Sequence, residues 1–318
     1  MDSIYVVFMI IVSHFDWGII MNDEILRHYL DFSMYTYPGL YLEKLKNELP
    51  DEVREIGFLV RKNFIHRSTL SYGNFGTNAD LKFGDMTEVP WWRQAEDDNF
   101  VTSGAMLTEL YRRDTRGFVL DREVKNKLVL TCRYVAIMMA SILKAKGIPV
   151  RVRSGFAPYF DNGELGAVST DHWIDEYWNK KENRWVTIDA DGSLSLNDNF
   201  DPYDIPKGKF DFPADVWLSI RDKKISPWKF YNAKPEWGAI AVLWALFYDF
   251  HCLMNNEIFY SHLPLFGRYE KFYSLTCMEL EKIDRLALLM QQPDTNFDGL
   301  KKIWDTEKDF RLLTGGLL

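Results

Sequence analysis

The sequence has few of the residues that build disulfide frameworks and metal centres. It contains three cysteines and six histidines in 318 residues, with no CxxC pair. Cys132, Cys252 and Cys277 are too few and too scattered for a disulfide framework, so a reducing, cytoplasmic setting is the simplest prediction. No two histidines have the i, i+4 spacing that places two ligands on one helix face. We therefore expect neither a metal nor a cofactor.

Positive charge and long apolar runs are also scarce. The net charge of −8 argues against nucleic acid and against an anionic membrane surface as partners. The apolar runs Ile4–Val12 and Gly238–Tyr248 are too short to span a bilayer. Aromatic residues are abundant at 15%, so many rings must pack in a core or line a groove. These values predict a globular protein with no nucleic-acid or membrane partner, and they leave the oligomeric state open.

The first 21 residues are interpreted as an N-terminal extension. Met21–Glu24 looks like a natural beginning, because Asn22 is able to cap a helix whose first turn is acidic. The alternative for this segment is a short edge strand or a docking helix.

Helical patterns dominate both ends of the chain. Residues 22–99 are predicted to form a helical N-terminal part, with two amphipathic helices over Leu40–Leu49 and Asp51–Ile65. The adjacent pair Trp91 and Trp92 is expected to pack, with the rim of a substrate groove as the alternative. Residues 206–318 are predicted to form a helical C-terminal extension, built as one compact unit.

The stretch from Thr131 to Pro149 predicts one buried helix. Nearly every residue from Cys132 to Ala145 is apolar or small, which is typical of a helix inside a domain. Thr131 is a suitable N-cap, and Gly147 is a suitable C-cap before Pro149. A thiol in the first turn meets free N–H groups and the positive end of the helix dipole, which stabilise a thiolate. The simpler interpretation of Cys132 is a small hydrophobic residue.

After Pro149 the pattern changes to that of an antiparallel sheet. Val150–Phe160 alternates as a strand does, and Asp171–Trp178 and Arg184–Asp191 read as two strands of a hairpin. Arg151 and Arg153 share one strand face. Solvent exposure is the default prediction for both, and a structural ion pair is the alternative.

The sequence also offers partners for a reactive cysteine. A cysteine nucleophile needs a base, and the base needs a group that orients it. His172 lies in a predicted strand, and antiparallel pairing puts Asp189 about level with it on the neighbouring strand. A carboxylate there is able to fix the imidazole tautomer and leave the other ring nitrogen for Cys132. The simpler interpretations are a core histidine and an acidic strand end, and His251 with Cys252 is predicted to be structural.

At these residues the chain resembles the transglutaminase-like superfamily of papain-like Cys-His-Asp enzymes. The resemblance rests on TCRYVAIMMASILKAKGIPVRVRSGF, DHWIDEYW and RWVTID, in that order. It implies an α+β fold with a papain/transglutaminase-like core at about 100–205, in which the helix carrying Cys132 packs on an antiparallel sheet. Helices are then added on both sides, as in prokaryotic stand-alone members. Thr131 departs from the small residue or glycine that often precedes the cysteine.

The resemblance further implies a catalytic triad of Cys132, His172 and Asp189. Cys132 would attack a carboxamide carbon to form a thioester, with its own backbone N–H as one oxyanion donor. The expected substrate is a peptide, a protein or a small amide. Hydrolysis of an amide, peptide or isopeptide bond is the leading prediction. The alternatives are transfer to a second amine, as in a protein-glutamine acyltransferase, and a binding module that keeps the fold without turnover.

Overall fold

The computed structural model describes six stretches of the chain, residues 22–67, 88–93, 96–160, 168–192, 200–232 and 236–312. The proposed extension at residues 1–21 lies outside them. Within these stretches the chain is mixed α+β, as predicted, with an antiparallel sheet against which the cysteine-bearing helix packs. The division of the chain at residues 99/100 and 205/206 stays a prediction.

Three helices open the described chain: α1 (Asp23–Leu30), α2 (Leu42–Glu48) and α3 (Val53–Asn63). Asn22 caps α1, accepting the backbone N–H of Glu24 at 2.8 Å, as the acidic first turn predicted.

The helix predicted over Asp51–Ile65 is wrong at its end, because the chain leaves the helix after Asn63 and forms strand β1 (Phe64–His66). Phe64 and Ile65 are buried, and their backbone pairs in parallel with β2 (Leu128–Leu130). A branched or aromatic side chain in a buried, paired backbone favours strand over helix here. Helix α4 (Ser103–Arg113) lies between the two strands in sequence.

Helix α5 (Cys132–Ala145) is buried along its whole length, as its composition predicted. Its end follows the prediction also, since Gly147 has φ +77° and the N–H of Ile148 donates to the Leu143 carbonyl at 2.9 Å. The predicted side-chain cap is wrong. Thr131 forms no capping hydrogen bond, because its hydroxyl is directed toward Tyr260 instead.

The main sheet contains β3 (Val150–Phe156), β4 (Ser169–Asn179) and β5 (Arg184–Ile188), which are antiparallel in that order. The short strand β6 (Phe230–Tyr231) pairs in parallel with the start of β4. Asp175 pairs with Ile188, so the same register extended by one residue places Asp189 beside Ile174. Asp189 is therefore diagonal to His172 and on the same sheet face, rather than level with it.

The C-terminal part adds helices α6 (Pro213–Arg221), α7 (Ala239–Leu253), α8 (Tyr269–Phe272), α9 (Cys277–Met290) and α10 (Phe297–Thr306). Helix α7 lies against β3, on the face that carries Arg153. In the part of the chain that the structure describes, no helix is both long enough and apolar enough to cross a membrane.

Because α7 covers this face of the sheet, the default prediction that Arg151 and Arg153 are exposed to solvent is wrong. Both side chains are buried and held in ion pairs, which was the alternative. Arg153 donates to Asp249 and Glu176 at 2.8 and 2.5 Å, and Arg151 donates to Glu176 at 2.7 Å. Buried charges persist only when they are paired in this way, so α7 and β3 are locked together electrostatically as well as by apolar packing.

Candidate active site

The structure brings the three predicted site residues together. Cys132 is the first residue of α5, His172 lies in β4, and Asp189 follows β5 directly. All three are buried. The Nε2 of His172 lies 2.9 Å from Oδ2 of Asp189, and the imidazole is close enough to the Cys132 thiol for each to shift the pKa of the other. Sulfur, imidazole and carboxylate thus stand in one chain of contacts, the order that an activated thiol requires.

Three donors hold the Asp189 carboxylate in place. In addition to His172, the Tyr159 hydroxyl donates to Oδ2 at 2.7 Å and the backbone N–H of Gly192 donates to Oδ1 at 2.7 Å. Burial opposes the charged form of Asp189, but His172 and these donors outweigh it and lower the pKa of the carboxyl. The carboxylate therefore stays ionised and fixed in direction.

The electrostatics of the site favour a thiolate. Burial raises the pKa of the Cys132 thiol, but hydrogen bonds and charge from His172, and then from His66, outweigh burial and lower it. Burial opposes protonation of His172, yet Asp189 and Cys132 raise its pKa well above the usual value. Both shifts favour a thiolate beside an imidazolium, and the helix N-terminus adds to this because its dipole favours negative charge.

A second histidine contacts the same thiol, and the sequence reasoning missed it. His66 ends β1, and its imidazole is close enough to the Cys132 thiol for each to shift the pKa of the other. Its Nε2 lies 3.5 Å from Oδ2 of Asp191, whose Oδ1 lies 3.1 Å from Nη1 of Arg61. The sequence feature that could have indicated a second histidine–aspartate pair is Asp191, two residues after Asp189. Nothing in the sequence near His66 indicates that β1 pairs with the strand before Cys132.

A third neighbour comes from the C-terminal part. The Tyr260 hydroxyl lies 3.6 Å from the Cys132 sulfur and 3.4 Å from Oγ1 of Thr131. Burial, with Cys132 and Asp171, raises the pKa of Tyr260 well above its usual value, so the phenol is neutral. The ring packs edge-on to Trp173 and Tyr248. No pattern in the sequence pointed to this contact across 128 residues.

The structure also places the other aromatic and histidine side chains that lie near the site or were singled out in the sequence. Trp173 and Tyr159 are buried, and Tyr159 also contacts Asp189. The predicted packing of Trp92 is wrong, because its side chain is 67% exposed beside the inward-pointing Arg93. His251 is buried with Nε2 3.1 Å from the Phe310 carbonyl oxygen, and burial lowers its pKa to about 3. This neutral, hydrogen-bonded ring fits the structural role predicted for it.

Gly192 leads to a prediction about how Asp189 is positioned. A Cβ at residue 192 would collide with the Asp189 carboxylate, which the Gly192 N–H holds. We expect Gly192→Ala to displace the carboxylate and slow alkylation of Cys132 by iodoacetamide at pH 6 by roughly 10- to 100-fold, the usual cost of a small misplacement.

The control for this change is Gly104→Ala. A Cβ there meets only ordinary contacts, the closest being the Tyr37 carbonyl oxygen at 3.4 Å. Gly104→Ala should leave the alkylation rate unchanged. Equal rates in both variants would show that the glycine at 192 does not set the carboxylate position.

Comparison with known proteins identifies the class. Residues 124–190 match the family model of the transglutaminase-like superfamily, a segment that contains Cys132, His172 and Asp189. The matched segment therefore carries a transglutaminase-like domain, and members of that superfamily are mostly cysteine-dependent hydrolases and acyltransferases. No match was found among curated proteins or among solved structures.

Proposed function

We propose that this protein is a cysteine-dependent amide, peptide or isopeptide hydrolase, with Cys132 as nucleophile, His172 as acid and base, and Asp189 as the group that orients His172. The observation that supports this most strongly is the contact chain from a buried thiol through imidazole to a buried, triply hydrogen-bonded carboxylate. The charges of His172 and Asp189 in this chain of contacts favour the reactive thiolate.

In the proposed reaction the Cys132 thiolate attacks the carbonyl carbon of a peptide, protein or small amide. The resulting oxyanion meets the N–H groups at the start of α5, including that of Cys132. His172 gives its proton to the leaving amine, the C–N bond breaks, and a thioester remains on Cys132. Water then releases the acid.

A protein-glutamine acyltransferase is the second candidate, because an amine that replaces water at the thioester gives transamidation on the same residues. Incubation with a glutamine-containing protein and a fluorescent primary amine separates the two. Covalent incorporation of the amine supports transfer, and release of ammonia without incorporation supports hydrolysis.

The three cysteines are free, which is compatible with the cytoplasmic location we propose.

Iodoacetamide alkylation tests the activated thiol directly. An ordinary thiol has a pKa of about 8.5 and is almost fully protonated at pH 6. Because the pKa of Cys132 is lowered, a larger fraction of it is thiolate at pH 6 than for an ordinary cysteine, and this thiolate is lost as pH falls through the lowered pKa. We expect Cys132 to be alkylated at pH 6 faster than Cys252 or Cys277, as measured by peptide mass spectrometry over a pH series.

The other two cysteines are internal references. Cys252 is buried, and burial raises the pKa of its thiol, so it should stay unlabelled. Cys277 is exposed and reports the reaction of an accessible thiol. Slow labelling of all three at pH 6, with the rates rising together only at alkaline pH, would remove the activated thiol and leave a non-catalytic binding module as the better interpretation.

A further inference from the structure

The backbone pairing of β1 with β2 sets the position of His66 relative to the thiol. In the β1–β2 register His66 stands opposite Leu130, two residues before Cys132. The strand pairing therefore brings His66 beside the start of α5, where its imidazole is close enough to the Cys132 sulfur for each to shift the pKa of the other. Cys132 thus has two imidazoles, and each of them faces its own aspartate.

The two histidine–aspartate pairs differ in strength. Asp189 is fully buried, lies 2.9 Å from His172, and has no guanidinium partner among its hydrogen bonds. Asp191 lies farther from His66, at 3.5 Å, and also faces the positive charge of Arg61. A carboxylate shared with a guanidinium holds a proton on its histidine less tightly. His172 is therefore the stronger proton holder, and His66 is the weaker base.

The directions of the pKa shifts agree with this difference. The pKa of His172 is raised well above the usual value. Burial lowers the pKa of His66 and the charge of Arg61 lowers it further. Asp191 and then Cys132 raise it, and the net pKa is higher than usual. Conversion of the thiolate into a neutral thioester removes the contribution of Cys132. His66 then becomes easier to deprotonate at the stage at which the thioester must be resolved.

The two imidazoles also differ in their access to solvent. The His66 side chain is 25% exposed, against 4% for His172. His66 is therefore the more solvent-exposed of the two imidazoles, and the water or amine that resolves an acylated Cys132 comes from solvent.

We propose that His66 is a second catalytic imidazole, which takes the proton from the water or amine that resolves the Cys132 thioester, while His172 serves the formation of that thioester. This inference rests on the proposed acyl-transfer function. It assigns formation of the thioester to His172 and resolution of the thioester to His66.

The proton balance closes with this division. In acylation, His172 loses its proton to the leaving amine, and Cys132 carries the acyl group. In hydrolysis, His66 takes one proton from water as the new C–O bond forms, and the C–S bond breaks to release the thiolate. The carboxylic acid product passes its proton to His172, which restores the thiolate–imidazolium pair. His66 then releases its proton to solvent through its exposed edge.

The competing explanation is a purely structural tie, in which His66 joins β1 to the end of β5 through Asp191. His66→Gln separates the two explanations. The glutamine amide is able to keep the contact that Nε2 makes with Asp191, but it cannot accept a proton. His28→Gln is the matched control, because the Nε2 of His28 likewise contacts one oxygen, the Leu253 carbonyl at 3.1 Å.

The experiment uses 4-nitrophenyl acetate, which acetylates a thiolate and needs no specific binding pocket. The burst of nitrophenolate measures acylation, and intact-mass spectrometry follows the loss of acetyl from Cys132. In His66→Gln we expect acetyl-Cys132 to form at close to the normal rate but to be lost at least about 100-fold more slowly, the usual contribution of a general base. His172→Gln should instead suppress the burst, and His28→Gln should change neither phase.

Each outcome separates the two claims. If the unchanged protein is not acetylated at Cys132, the proposed function fails, and this inference fails with it. If the unchanged protein is acetylated and His66→Gln loses the acetyl group equally fast, only the role of His66 is overturned. A variant that slows both phases to the same extent, or only lowers the melting temperature, would identify His66 as a structural tie.

Discussion

Cys132→Ala is expected to abolish acyl-enzyme formation and to lower turnover of an amide substrate at least about 10⁴-fold, as removal of the nucleophile does in enzymes that act through a covalent intermediate. His172 and Asp189 alone have no atom able to form the thioester. The fold should survive, because the His172–Asp189 pair and the hydrogen bonds from Tyr159 and Gly192 stay in place. The measurements are the nitrophenolate burst and the intact mass after exposure to 4-nitrophenyl acetate.

Cys252→Ala and Cys277→Ala are the matched controls. Cys252 is buried in α7, so its alanine variant tests loss of a buried thiol apart from chemistry, and Cys277 tests loss of an exposed thiol. Both should keep the burst. If Cys132→Ala retains the cellular role of the protein in full, the chain acts as a binding module and the enzyme interpretation is wrong.

The parts of the fold that were predictable are those whose signal is local. The apolar composition of Cys132–Ala145 and the Gly147–Pro149 ending specified α5, because burial and the C-cap act over a few residues. The hairpin between β4 and β5 also followed from turn chemistry. It placed Asp189 on the correct face, although the register is shifted so that the carboxylate is diagonal to His172.

The parts that could not be predicted depend on contacts between distant segments. His66 reaches Cys132 only because β1 pairs with β2, and two strands of three residues each are too short to indicate a pairing partner. Tyr260 comes from a segment after α7, and its contact also takes the hydroxyl of Thr131 away from the helix end.

Covering of the sheet explains the error at Arg151 and Arg153. Alternating polar and apolar residues in a strand predict that one face of the sheet is exposed to solvent, unless another element is known to cover that face. Here α7 brings Asp249 against that face, and Glu176 from β4 completes the ion pairs. The charged residues are therefore buried by an element that lies about a hundred residues farther along the chain, which no window of sequence around β3 includes.

Asp189→Asn should have the second largest effect. The amide keeps the shape of the side chain but removes the charge that raises the pKa of His172, so the imidazolium is lost at lower pH. The thiol pKa then rises, because His172 is the strongest group that lowers it. We expect the pH profile of Cys132 alkylation to move to higher pH and acylation by 4-nitrophenyl acetate to fall by roughly 10³- to 10⁴-fold, as for the same change in a serine triad.

Asp284→Asn is the control for this change. Asp284 is a partly buried carboxylate on α9 that accepts from the Trp217 indole at 2.8 Å and pairs with Arg221 at 3.0 Å. Loss of its charge should leave the alkylation profile where it was, with any change confined to the melting temperature. An Asp189→Asn profile that also stays in place would mean that His172 is not charged by Asp189. His172 would then owe its charge to Cys132 itself, and the thiolate would be stabilised by His172, His66 and the helix N-terminus without help from the carboxylate.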